Sequence, residues 1–142
     1  MTSQNAPQPG AGIVLWSVAA EPLFLAAVAY LLGRTGAVHL TEKAACGDTL
    51  LVVFAALSLA MLWASFRFAS GRFAPRDPAL VPAGARAPFA HQIIAVALAT
   101  APGVLGFVHY LLCGADWVLL VFNLGAFAAA ARHVLNFSPA RP

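Results

Sequence analysis

Residues 91–112 read HQIIAVALATAPGVLGFVHYLL, a stretch without one formally charged side chain. At about 1.5 Å of rise per residue, a helix of that length crosses a hydrocarbon core of about 30 Å. Three further apolar runs, at about residues 12–33, 47–66 and 116–137, share its length. Composition decides what solvent they need. The chain is 61% hydrophobic and 9% charged with a mean hydropathy of +0.83, whereas a soluble domain carries roughly 25% charged residues. So few charges cannot clothe a water-facing surface, so hydrocarbon must take that role. The predicted fold is an all-α integral-membrane four-helix bundle, two antiparallel hairpins forming one membrane domain over residues 1–142.

The residues between the runs fit interfaces. Trp16 and Tyr30 bracket the first run, Trp63 and Arg67 end the second, and Trp117 opens the fourth, as aromatic belts and snorkelling cations do. Asp48 and Asp116 stand where a carboxylate caps a helix start. The first ten residues lack a basic n-region and a cleavage site, so the first run is expected to be a retained span. Loop one, around Thr41 and Glu42, suggests a short surface turn. Loop two, residues 67–90, sets Arg67, Arg72, Arg76 and Arg86 against the single acid Asp77 and contains Pro75, Pro78, Pro82 and Pro88. It is predicted to be an extended cytoplasmic strap, because proline removes helix hydrogen bonds. Six of the eight basic residues fall on the side of the termini and loop two. The positive-inside rule then places both termini in the cytoplasm of a bacterial-type inner membrane. No basic face with readers for nucleic acid is present.

Helix contacts are foreshadowed by small residues four apart: Ala56, Ala60 and Ala64 in span two, Ala95, Ala99 and Gly103 in span three, Gly125 and Ala129 in span four. The brief link Cys113-Gly114-Ala115 demands a tight hairpin between spans three and four. Pro22 and Pro102 should kink their helices, each freeing a carbonyl one turn earlier, with Thr100 near enough to help in span three. Aligned on these prolines, spans one and three also share Ala19/Ala99, Leu25/Leu105, Val28/Val108 and Tyr30/Tyr110. A parallel duplication and a chance match of apolar sequence both remain open. Cys46 and Cys113 lie near helix ends on one side, which leaves open a single disulfide or two buried thiols.

Glu21 is the sharpest candidate for chemistry, since a carboxylate midway along a span usually faces a partner or a cavity. Counted from the outer helix ends, Ser58 and Thr100 reach its depth, and Asn123 lies roughly 7–8 Å further out. A polar layer of Glu21, Ser58, Thr100 and Asn123 could bind a proton, a cation or a small polar ligand. It could equally be a neutral hydrogen-bonded set that fixes helix register. His91 and His133 differ in depth by about 6 Å and His39 and His109 lie toward the outside, so no pair has haem-ligand geometry and the histidines read as interfacial. Nucleophile elbow, P-loop, metal signature and paired carboxylates are all missing, and Ser17, Ser58 and Ser65 have no His and acid at helical spacing. Neither catalysis nor a cofactor or metal is expected.

The segment from Ala97 to Val108, ALATAPGVLGFV, resembles the ion-carrying helix of rotary ATPase proteolipids, the c and K subunits, and the third helix of small bacterial four-span proteins. It covers about a dozen residues. Thr100 stands where that family carries its carboxylate, and span two offers alanines where the proteolipids repeat glycine. The resemblance therefore implies a packing style without the ion-carrying activity. The expected function is a small structural or accessory membrane subunit or homo-oligomer, in contact with lipid and with other subunits or itself. The alternative is proton or cation handling at Glu21.

Overall fold

The computed structural model describes residues 10–35, 46–70 and 89–137. The predicted surface turn at Thr41 and Glu42, most of the proline-rich strap and both tails lie outside the described residues. Five helices make four candidate spans: α1 Ala11–Ala19 and α2 Glu21–Arg34 together form the first, followed by α3 Asp48–Ala69, α4 Phe89–Cys113 and α5 Asp116–Phe137. All four are long and apolar enough to cross a membrane, and the fold is an all-α four-helix bundle.

The two prolines act differently. Pro22 has no N–H for the Val18 carbonyl and its ring crowds that group, so α1 stops at Ala19 and α2 restarts at Glu21. Proline in the first turn of the new helix gives up an N–H that would have had no helical partner. The Ala20 carbonyl accepts from the Leu23 and Phe24 amides at 3.1 and 3.2 Å, which keeps the two pieces joined. Pro102, by contrast, sits inside an unbroken α4. The Thr100 hydroxyl donates to Ala97 O at 3.0 Å, rather than to the Leu98 carbonyl that Pro102 leaves free. Asp48 does not cap α3. The N-cap is Gly47 without a side-chain bond, and Asp48 lies in the first turn, where its charge favours the helix dipole.

Helix α4 is the hub and touches every other helix. Its hairpin with α5 closes at Gly114, whose φ of 66° is left-handed and whose amide donates to Tyr110 O at 2.7 Å. That conformation strains any residue with a Cβ. Two apolar clusters fill the interior. One gathers Leu15, Ala19, Val96, Ala99, Ala130 and Val134; the other gathers Ala29, Tyr110 and Leu119. Between them along the helices lie Pro22, Thr100, Gly103, Gly106 and Asn123, all buried.

The small-residue stripes divide between inside and outside. Ala95, Ala99 and Gly103 are buried, whereas Ala56, Ala60 and Gly125 are exposed, with Ala64 and Ala129 half-buried. The echoed segments of spans one and three lie side by side. Pro22 meets Gly103, and the Tyr110 hydroxyl occupies the space a Cβ on Gly33 would need. The paired tyrosines have opposite fates, Tyr30 exposed and Tyr110 buried.

A disulfide joins Cys46, just before α3, to Cys113 at the end of α4, with 5.6 Å between the Cα atoms. Of the two readings left open by the sequence, this one holds.

Candidate functional site

At the level of Gly103, α4 lies close against Pro22 and Asn123. A Cβ on Gly103 would come within 2.9 Å of the Pro22 Cβ and 3.0 Å of Asn123 Oδ1, and one on Gly106 would collide with Phe122. Glycine here permits backbone contact, which is how helices associate when lipid supplies no hydrophobic drive. Asn123 Nδ2 donates to Leu119 O at 2.8 Å, leaving Oδ1 without a hydrogen bond and pressed toward Gly103. Thr100 is already committed to Ala97 O.

Of the four residues proposed for the polar layer, Ser58, Thr100 and Asn123 are buried. Glu21 is exposed on the outside of the bundle, next to buried Pro22. Proline and carboxylate point apart because neighbouring residues in a helix face different ways.

A second polar feature escaped the sequence reading. In α3 the only buried residues are Ser58 and Ser65, while Val52, Val53, Leu57, Leu59 and Trp63 face outward. This inversion makes sense when hydrocarbon is the solvent. Three histidines oppose this inward face: Phe54 meets His109 edge-on at 6.2 Å, Phe66 meets His133 at 4.8 Å, and Phe68 meets His91 at 6.2 Å. His109 and His133 are buried and His91 is half-buried. In α5 the signal was present: Ala126, Ala130 and His133 fall on one buried helical stripe.

Hydrogen bonding along this seam is uneven. Ser65 Oγ donates to Leu62 O at 2.7 Å and lies 3.2 Å from His133 Nε2. With the serine proton used, Nε2–H must be the donor in the second bond, which assigns the tautomer. This Ser–His pair is no nucleophile, since the hydroxyl is fully buried and its proton is engaged elsewhere. Ser58 Oγ, His91 Nδ1 and His109 Nδ1 are buried without a hydrogen bond. An unmet buried polar atom costs about 1–3 kcal/mol, and three of the four such atoms among the described residues lie along the α3 seam. Among the described residues no three His, Cys, Asp or Glu side chains could hold a metal ion.

No protein-family model, curated protein or solved structure matches this chain.

Proposed function

We propose that the protein is an accessory or structural subunit of the inner membrane, acting through helix contacts with another membrane protein or a second copy of itself. The observation that carries this reading is the outward-facing Glu21, midway along the 24-residue span Ala11–Arg34. Hydrocarbon offers a carboxylate no hydrogen bond, whereas a second chain does. The exposed Ala56 and Ala60 give α3 a surface that a further helix could approach closely, in the packing style of proteolipid helices. Sidedness has two supports. Six of eight basic residues cluster on one side, and the Cys46–Cys113 disulfide sits at the other end, where an oxidising compartment would lie. Both favour cytoplasmic termini.

The same carboxylate supports a second reading, proton or cation exchange at Glu21 on the face of the bundle. Substitution separates the two, because glutamine retains hydrogen bonding but cannot titrate. An accessory subunit should keep its copurifying partners in Glu21→Gln and lose them in Glu21→Leu. A proton-handling protein should lose pH-driven flux in reconstituted vesicles with Glu21→Gln. Retention of every partner in Glu21→Leu would sink the contact reading.

A further inference from the structure

At the basic end of the bundle, the α3 seam opens into a cavity of about 370 Å³ between the ends of α3 and α5 and the start of α4. Its apolar wall is Phe66 and Phe137, with the buried His133 ring stacked on Phe137 at 6.1 Å between centroids. Its polar groups include Arg132, Ser70 and Asn136. The Arg132 guanidinium lies 5.7 Å from the Phe66 ring centroid, and among the described residues it has no carboxylate partner. The described acids are elsewhere: Asp48 and Asp116 begin α3 and α5 at the opposite end, and Glu21 is mid-span. The Ser70 hydroxyl donates to Arg67 O at 2.9 Å and keeps its acceptor lone pairs. His133 Nε2 is committed to Ser65, so Nδ1 is its remaining ring nitrogen.

A cation with no carboxylate partner among the described residues, an amide donor and two aromatic rings thus surround a hollow at the depth where spans end and headgroups begin. An arginine beside an amide and an apolar wall suits a phosphate oxygen with hydrocarbon attached, because guanidinium matches phosphate geometry and the rings accept the acyl part. Basic pockets between helices at this depth hold anionic headgroups. We infer that this cavity binds the phosphate of an anionic phospholipid, with Arg132 and Asn136 as donors to its oxygens and Phe66 and Phe137 against its glycerol and first methylenes. The site is distinct from the Glu21 surface and does not depend on its role.

The test is native mass spectrometry of the full chain in detergent, titrated with phosphatidylglycerol, phosphatidylcholine or inorganic phosphate. Wild type should retain phosphatidylglycerol in preference to phosphatidylcholine. R132Q should weaken that binding about tenfold, the worth of one charged hydrogen bond, and N136L should weaken it less. R67Q makes the same charge change outside the cavity, where Arg67 lies over Trp63, and should leave binding intact. An intact Cys46–Cys113 disulfide and unchanged helicity show that each variant is folded. Equal binding by R132Q, equal loss in R67Q, or no preference over phosphatidylcholine overturns the proposal. Saturation by inorganic phosphate without any lipid preference would assign the site to a free anion and overturn the lipid source.

Discussion

Helices α3 and α4 have similar lengths, and each carries small residues four apart, yet half of the most apolar window of α4 is buried and only 11% of that of α3. Helix α3 has the higher mean hydropathy of the two. Within hydrocarbon, apolarity does not draw a side chain inward, because lipid is as good a neighbour as leucine. What buries α4 is its capacity for close approach, through Ala95, Ala99, Gly103 and Gly106. What α3 turns inward is polar, Ser58 and Ser65, and it is fastened at one end by a disulfide and near the other by the Ser65–His133 bond.

The sharpest way to break this contrast is to add bulk to each helix. Gly106→Leu in α4 would drive a side chain into Phe122 and Asn123, and should cost about 3 kcal/mol or more, read as loss of the folded form in a detergent unfolding titration. Cutting the fastening of α3 comes next. Cys46→Ser should lower stability by about 2–4 kcal/mol. It should also raise protease and alkylation access to α3 while leaving the α4–α5 hairpin protected; equal exposure of all helices would show that α3 is not the weakly held element.

Ser65→Ala leaves the His133 Nε2–H unpaired in the seam and should cost about 1–2 kcal/mol by the same titration. Gly33→Ala should cost about 1 kcal/mol, because its Cβ meets the far end of Tyr110. Adding Tyr110→Phe should recover most of that loss, and failure to recover it would locate the strain elsewhere. The smallest effect is expected for Ala60→Leu on the exposed face of α3, within about 0.5 kcal/mol for the isolated chain. A larger loss confined to the membrane-extracted assembly, seen as dissociation of a crosslinked partner, would mark that face as a contact.

Much of the architecture was legible because length and hydropathy report directly on solvent. The four spans fall within a few residues of their predicted bounds, and the tight turn after Cys113 follows from a three-residue link containing glycine. The break at Ala20 was less legible. Pro22 and Pro102 look equivalent in sequence, yet α1 ends before Pro22 and α4 runs through Pro102. The polar residues were the hardest to read. Depth along a span can be counted from the chain, which set Glu21, Ser58 and Thr100 at one expected depth and Asn123 roughly 7–8 Å further out. The direction a side chain faces cannot be counted until the neighbours are known, so Glu21 turned out to face outward and three histidines to face α3.

The amino-acid order alone determined that this chain carries four stretches long and apolar enough to cross a membrane and where its basic residues gather, since each follows from local composition over about twenty residues. Only the tertiary structure decided which small-residue stripe is buried, which polar groups share a seam, and that Cys46 and Cys113 are bonded. Those outcomes depend on the rotation of each helix about its axis, and in a lipid solvent that rotation is set by backbone approach and polar pairing between distant segments rather than by hydrophobicity.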